Sequence, residues 1–198
     1  MARDGFSVRR FMLDSEELDE WCERGIVAVV LALVVYAALA LGGVRSTEFA
    51  VIVGFATVAT GLWVARFWLN RSHRFLLHPV IWPILGFLAY ATWRYTQAPV
   101  EYVARQELLH LAVYSVVFLV VVHNLHRQDP TQWTVILLVT FGTILSFYAL
   151  VQLASGSEKI WWFARPQNYL RRGGATFVNP NHLAGFLVII LPLAITQV

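Results

Sequence analysis

Residues 169–192 read YLRRGGATFVNPNHLAGFLVIILP, which brings two arginines, two asparagines and a histidine together within twelve positions, 171–182. Asn179 suits the position just before a helix, because its side-chain oxygen can accept one of the orphan N–H groups at the helix start. Pro180 fits the first helical position, where no N–H is required. A helix is therefore expected from this point, with free N–H groups and a positive dipole end facing the preceding loop. Arg171 and Arg172 lie just upstream, joined through Gly173-Gly174, whose backbone can bend back over the helix start. Two guanidiniums beside a helix N-terminus make a binding site for phosphate or diphosphate. The spacing also permits a plainer arrangement, in which Asn179-Pro180-Asn181 opens a helix and the arginines touch phospholipid headgroups. His182 falls in the first turn, where it reads as a hydrogen-bonding imidazole. With Glu158 it is the candidate for taking a proton on this side of the membrane. Arg105 stands in a charge group with Arg94, Glu101 and Glu107. His123 and His126 have metal-binding side chains but no further ligands beside them, so no metal site is expected.

The chain that positions these residues is strongly apolar. Its 198 residues are 58% hydrophobic and 14% charged, against roughly 45–50% and about 25% in soluble domains. Such a composition excludes disorder, and the glycines and prolines carry no collagen period. One cysteine, Cys22, excludes a disulfide scaffold and a cysteine-clustered metal site. A net charge of +3, with the basic residues scattered between apolar runs, gives no nucleic-acid footprint. What remains is an all-α, polytopic transmembrane bundle.

Crossing a membrane takes about 20 apolar residues, since the hydrocarbon core is about 30 Å thick and a helix rises 1.5 Å per residue. Six apolar runs approach that length: 25–43, 49–65, 79–93, 108–125, 133–154, and one from about Asn181 onward. About six spans are therefore expected. The last run meets no polar exit, basic anchor or aromatic belt before Val198, so the chain reads as the N-terminal part of a longer protein. Residues 1–24, with seven acidic and four basic side chains, are no signal peptide. Asp14 and Glu17 resemble a capping box, flanked by Leu13 and Leu18 as a hydrophobic staple. Ser15–Arg24 is thus expected to be a short amphipathic helix on the cytoplasmic face, with Leu18, Trp21 and Cys22 toward lipid or protein. A solvated acidic tail is the alternative. Residues 25–198 form the transmembrane domain.

Lys/Arg counts with the N-terminus inside are eight inside and seven outside, which barely discriminates. The compact group Arg66, Arg71 and Arg74, against Arg45 alone in the first outer loop, favours N-inside. That puts Lys159, Arg165, Arg171 and Arg172 outside, against the usual tendency, and suggests that these charges serve something other than topology. Trp161 and Trp162 in the same loop read as interfacial anchors, with sugar stacking as the alternative. In the second run Ala50, Gly54, Thr57 and Gly61 share one helical face, and in the fifth Gly142 and Ser146 do so. Small residues of this kind let helices approach closely in lipid.

The stretch from Arg172 to Ala184, RGGATFVNPNHLA, resembles the signature of the O-antigen ligase and polymerase superfamily, with Arg172, Phe177, Asn179, Pro180, Asn181 and Ala184 in register. A weaker similarity covers Tyr102–Phe118. Ala175 departs from the glycine usual in that pattern. The resemblance implies a GT-C-like helical fold in a bacterial inner membrane. It implies transfer of a glycan from an undecaprenyl-diphosphate carrier to an acceptor hydroxyl on a lipid, glycan or protein at the periplasmic face. It needs no cofactor and no metal. On this resemblance Arg172 is the catalytic residue, steadying the diphosphate as the glycosidic bond breaks, and Arg171, Asn179, Asn181, His182 and Arg105 are substrate-side residues. A transporter or a non-catalytic membrane scaffold is the alternative of another class. It would be expected to show repeated halves and midplane polar sites.

Overall fold

The computed structural model describes residues 3–43, 45–70, 75, 78–125, 128–169 and 171–196, with side chains described from Ser15 onward and not for 128–130. Among these residues there are six α-helices: α1 Arg3–Leu39, α2 Ser46–Leu69, α3 Ile81–Tyr95, α4 Glu101–Asn124, α5 Gln128–Ser155 and α6 Pro180–Ile195. Between α5 and α6 lies a two-stranded antiparallel hairpin, β1 Lys159–Ile160 and β2 Phe163–Ala164. The architecture is all-helical, as the composition requires. Four helices, in α1, α2, α4 and α5, are long and apolar enough to cross a membrane. The other two expected spans are shorter, 15 residues in α3 and 16 in α6. At 1.5 Å per residue these lengths give about 22 and 24 Å, below the ~30 Å hydrocarbon thickness.

Only 17–28% of each long apolar window is buried. Val51, Val58, Val64, Ile144, Phe147 and Leu150 point outward, an arrangement suited to hydrocarbon and unfavourable in water.

The chain divides into two units, residues Met1–Val30 with Phe55–His126, and Leu31–Gly54 with Arg127–Val198. In the first unit α3 and α4 pack together, and Ile26, Val30, Ala59, Trp63 and Val120 form the apolar core. Helix α1 runs through residues 15–24 without a break, so Asp14 lies within it and the expected short, separately capped helix is not formed. The polar side of that stretch turns inward. Leu18 and Trp21 are exposed, whereas Asp19 and Glu23 are buried against Arg66 of α2. Arg66 donates through Nε to Asp19 at 2.6 Å, through Nη2 to Glu23 at 2.8 Å and through Nη1 to Asn124 Oδ1 at 2.7 Å. Arg71, Arg74, His126 and Arg127, which entered the orientation and metal readings, lie outside the described residues.

The small residues of α2 also face the other way. Ala50, Gly54, Thr57 and Gly61 are exposed, and the buried face is Phe49, Ile52, Ala56, Ala59 and Trp63. In the second unit the expectation for α5 holds. A Cβ at Gly142 would sit 3.0 Å from Ile190 of α6, and Phe141 meets Phe186 edge to face at 6.1 Å. Ala38, Leu145, Phe177 and Leu183 close this second core over the start of α6.

Candidate functional site

The start of α6 is built as its residue types dictate. Asn179 is extended (φ −99°, ψ 119°), its side-chain oxygen accepts from the Asn181 N–H at 2.9 Å, and Pro180 opens the helix. With its oxygen engaged in this way, Asn179 acts as a cap. Asn181 is free of that duty, and its Oδ1 accepts from Arg172 Nη2 at 2.7 Å. The two side chains singled out by type are thus directly joined, and the Arg172 guanidinium is held at the positive end of the helix.

Arg171 and Arg172 are both exposed. Together with Gln152, Leu153, Gly156, Ser157 and Glu158 they line a cleft of about 240 Å³ at the C-terminal end of α5. Arg171 adopts a left-handed backbone (φ 59°), which costs roughly 1–2 kcal/mol for a residue with a Cβ. Ala175, the departure from the superfamily pattern, is also left-handed at φ 48°. It takes the conformation a glycine would adopt without strain, and its methyl is fully buried in the second core. Gly173 and Gly174 serve close approach. A Cβ on Gly173 would lie 2.8 Å from the Ala149 carbonyl oxygen, and one on Gly174 would lie 3.1 Å from Arg165 Nη2.

Beneath the cleft is a support that type and spacing did not single out. Arg165 is 6% exposed and Gln152 4% exposed. Arg165 donates to Gln152 Oε1 at 2.9 Å, to the Ala175 carbonyl at 3.3 Å and to the Arg172 carbonyl. Gln152 donates to the Lys159 and Ala175 carbonyls at 3.2 and 3.0 Å. No carboxylate pairs with Arg165 among the described residues. Burial pushes the pKa of its guanidinium down, partly countered by Tyr148. A guanidinium is not deprotonated in proteins, so it stays charged at neutral pH. A glutamine in the last turns of an otherwise apolar span was the available signal, since a polar side chain there needs a partner.

The loop is pinned to the end of α1, whose last carbonyls lack helical partners. Thr176 Oγ1 donates to the Ala38 carbonyl at 2.6 Å and Trp161 Nε1 to the Leu39 carbonyl at 3.2 Å. Trp161 also stacks on Tyr148 at 6.2 Å, and Arg45 lies over the Phe163 ring at 4.7 Å. Trp161 is thus a structural clamp, whereas Trp162, 79% exposed, keeps the geometry of an interfacial anchor.

His182 is exposed, and its backbone N–H donates to the Asn179 carbonyl at 2.9 Å. Glu158 lines the cleft with the two arginines, and its carbonyl accepts from the Arg165 N–H at 2.9 Å. Arg105 belongs to the first unit, where it lies 5.9 Å from the centre of the Tyr102 ring. His123, also of the first unit, is buried. Its Nδ1–H donates to the Leu119 carbonyl at 2.7 Å, and its ring sits between Trp63 and Phe75. Among the described residues, no three His, Cys, Asp or Glu side chains are grouped to hold a metal.

Chemically, the cleft offers two exposed guanidiniums and one carboxylate, with Arg172 also bonded to Asn181 in the first turn of α6 and Arg165 buried against Gln152 of the cleft wall. That set suits an oxyanion with several acceptor oxygens. No protein-family model matches the chain, and no curated protein or solved structure matches it.

Proposed function

We propose that the chain is an O-antigen ligase-like membrane glycosyltransferase with a GT-C-like fold of about six spans. In this reading it lies in a bacterial inner membrane with its N-terminus cytoplasmic, and the loop 156–179 faces the periplasm. The donor is a glycan on undecaprenyl diphosphate, and the acceptor is a hydroxyl on a lipid or a growing glycan. The acceptor oxygen bonds to the anomeric carbon as the bond to the diphosphate breaks, and the electron pair stays on the diphosphate. Arg172 meets that growing charge, with Arg171 beside it, and Asn181 keeps the Arg172 guanidinium aimed. The acceptor's proton needs a base, and Glu158 on the cleft wall and His182 in the first turn of α6 are this chain's candidates.

The observation that carries the reading is the Arg172–Asn181 hydrogen bond at the start of α6, beside Arg171 in the same cleft. A polymerase of the same superfamily would use the same cleft and differ in its acceptor. The test is Arg172→Ala in a strain lacking the native enzyme, assayed for glycan transfer. The expected loss is about 100- to 1,000-fold with normal membrane expression. Transfer at the wild-type level would remove Arg172 from the chemistry.

A further inference from the structure

We infer that the groove between α3 and α4 is a binding site for a zwitterionic aminophospholipid, one whose headgroup carries both a phosphate and a primary ammonium. The groove has two contiguous parts that share Phe87, Leu111 and Tyr114. The part near the α3–α4 turn, a cavity of about 520 Å³, holds the charged groups Arg94 and Glu107 and the imidazole of His110. The part further along is apolar, continuing to Pro83, Ile84 and Phe118.

Length and charge both select the occupant. From Ala104 to Phe118 the α4 wall rises about 21 Å, enough to take a lipid's headgroup and a chain reaching through one leaflet, ~15 Å of hydrocarbon. Exposed Tyr90, Trp93 and Tyr102 lie at the charged end, where aromatic side chains mark the headgroup level. Arg94 and Glu107 line the same cavity without forming an ion pair with each other. Arg94 has no side-chain partner among the described residues, and Glu107, 76% exposed, reaches His110 Nδ1 at 3.9 Å and lies near Tyr114. A guanidinium and a carboxylate left apart in one cavity complement a ligand that brings one charge of each sign. The ammonium donates to Glu107 while the phosphate accepts from Arg94. Choline headgroups have no N–H to donate, and glycerol headgroups have no cation.

The probes are phosphatidylethanolamine, phosphatidylcholine and phosphatidylglycerol, each added to the delipidated protein in detergent and read by native mass spectrometry. Phosphatidylethanolamine is expected to be retained about 10-fold better than the other two, the least a charge-assisted hydrogen bond gives. Glu107→Gln should abolish that preference, and Arg94→Gln should weaken retention of all three. Both side chains are exposed, so the folded state should survive, and circular dichroism checks that it does. Ile84→Trp fills the apolar part without touching a charge and should lower retention of every lipid. Equal retention of the three lipids by the unaltered chain overturns the inference. So does a preference that survives Glu107→Gln, or lipid retention untouched by Ile84→Trp. A protein dimer appearing in place of bound lipid would assign the groove to a second copy and overturn it too.

Discussion

Arg66 and Arg165 are both buried arginines, 3% and 6% exposed, yet their surroundings differ in kind. Arg66 is held by the carboxylates of Asp19 and Glu23 with Asn124 closing the set. Arg165 is held by a glutamine oxygen and backbone carbonyls alone. Burying a charge is costly unless partners replace the lost water. At Arg66 two of those partners carry the opposite charge, so the cluster locks α1 to α2 within the first unit, and its two carboxylates outweigh the one guanidinium. At Arg165 the partners are neutral, so its positive charge persists under the cleft and adds to Arg171 and Arg172. The contrast separates a charge used to hold helices from a charge that also favours an anion.

Removing a partner should hurt most where the buried partners are themselves charged. Arg66→Ala leaves Asp19 and Glu23 buried without their guanidinium and is expected to cost about 3–5 kcal/mol, read from thermal unfolding in detergent. A loss under about 1 kcal/mol would mean that the three groups are not a buried lock. Arg165→Met should cost less, roughly 1–3 kcal/mol, because it strands neutral carbonyls and a glutamine rather than charges. Its clearer effect should be on the loop, with faster proteolysis between Lys159 and Arg172. An equal or larger stability loss than Arg66→Ala would erase the distinction between the two sites. Gly173→Ala is the mildest of the three, about 1 kcal/mol or somewhat more, since a methyl 2.8 Å from the Ala149 carbonyl oxygen pushes the loop off α5. It changes no charge, so any loss of transfer it causes reports the placement of Arg172 alone.

Local features of the site were legible in the sequence. Asn179 and Pro180 start a helix by chemistry confined to neighbouring residues, whereas the Arg172–Asn181 pairing, nine residues apart across that start, was not read from it. The glycines were legible as necessary, but their reason, close approach to α5 and Arg165, depends on packing. What could not be read was any pairing set by the fold. Asp19 and Glu23 looked like one face of a solvated or surface helix, because their partner Arg66 is 47 and 43 positions away. Gln152 and Arg165 acquire their role only when the loop folds back on the end of α5. The exposed face of α2 was misread for a related reason. Small residues permit close helix contact in lipid but do not compel it, and here the larger Ile52 and Trp63 take the inward side.

The most direct test of the central claim, that the cleft lined by Arg171 and Arg172 at the end of α5 binds a lipid diphosphate, is an affinity measurement. Undecaprenyl diphosphate is titrated into the detergent-solubilised protein and into the Arg171→Ala/Arg172→Ala variant, at low and at raised salt. Losing two charge-assisted contacts, each worth about 1.5–3 kcal/mol, should weaken binding at least 100-fold and flatten its salt dependence. Equal affinity and equal salt dependence in the two proteins would contradict the account.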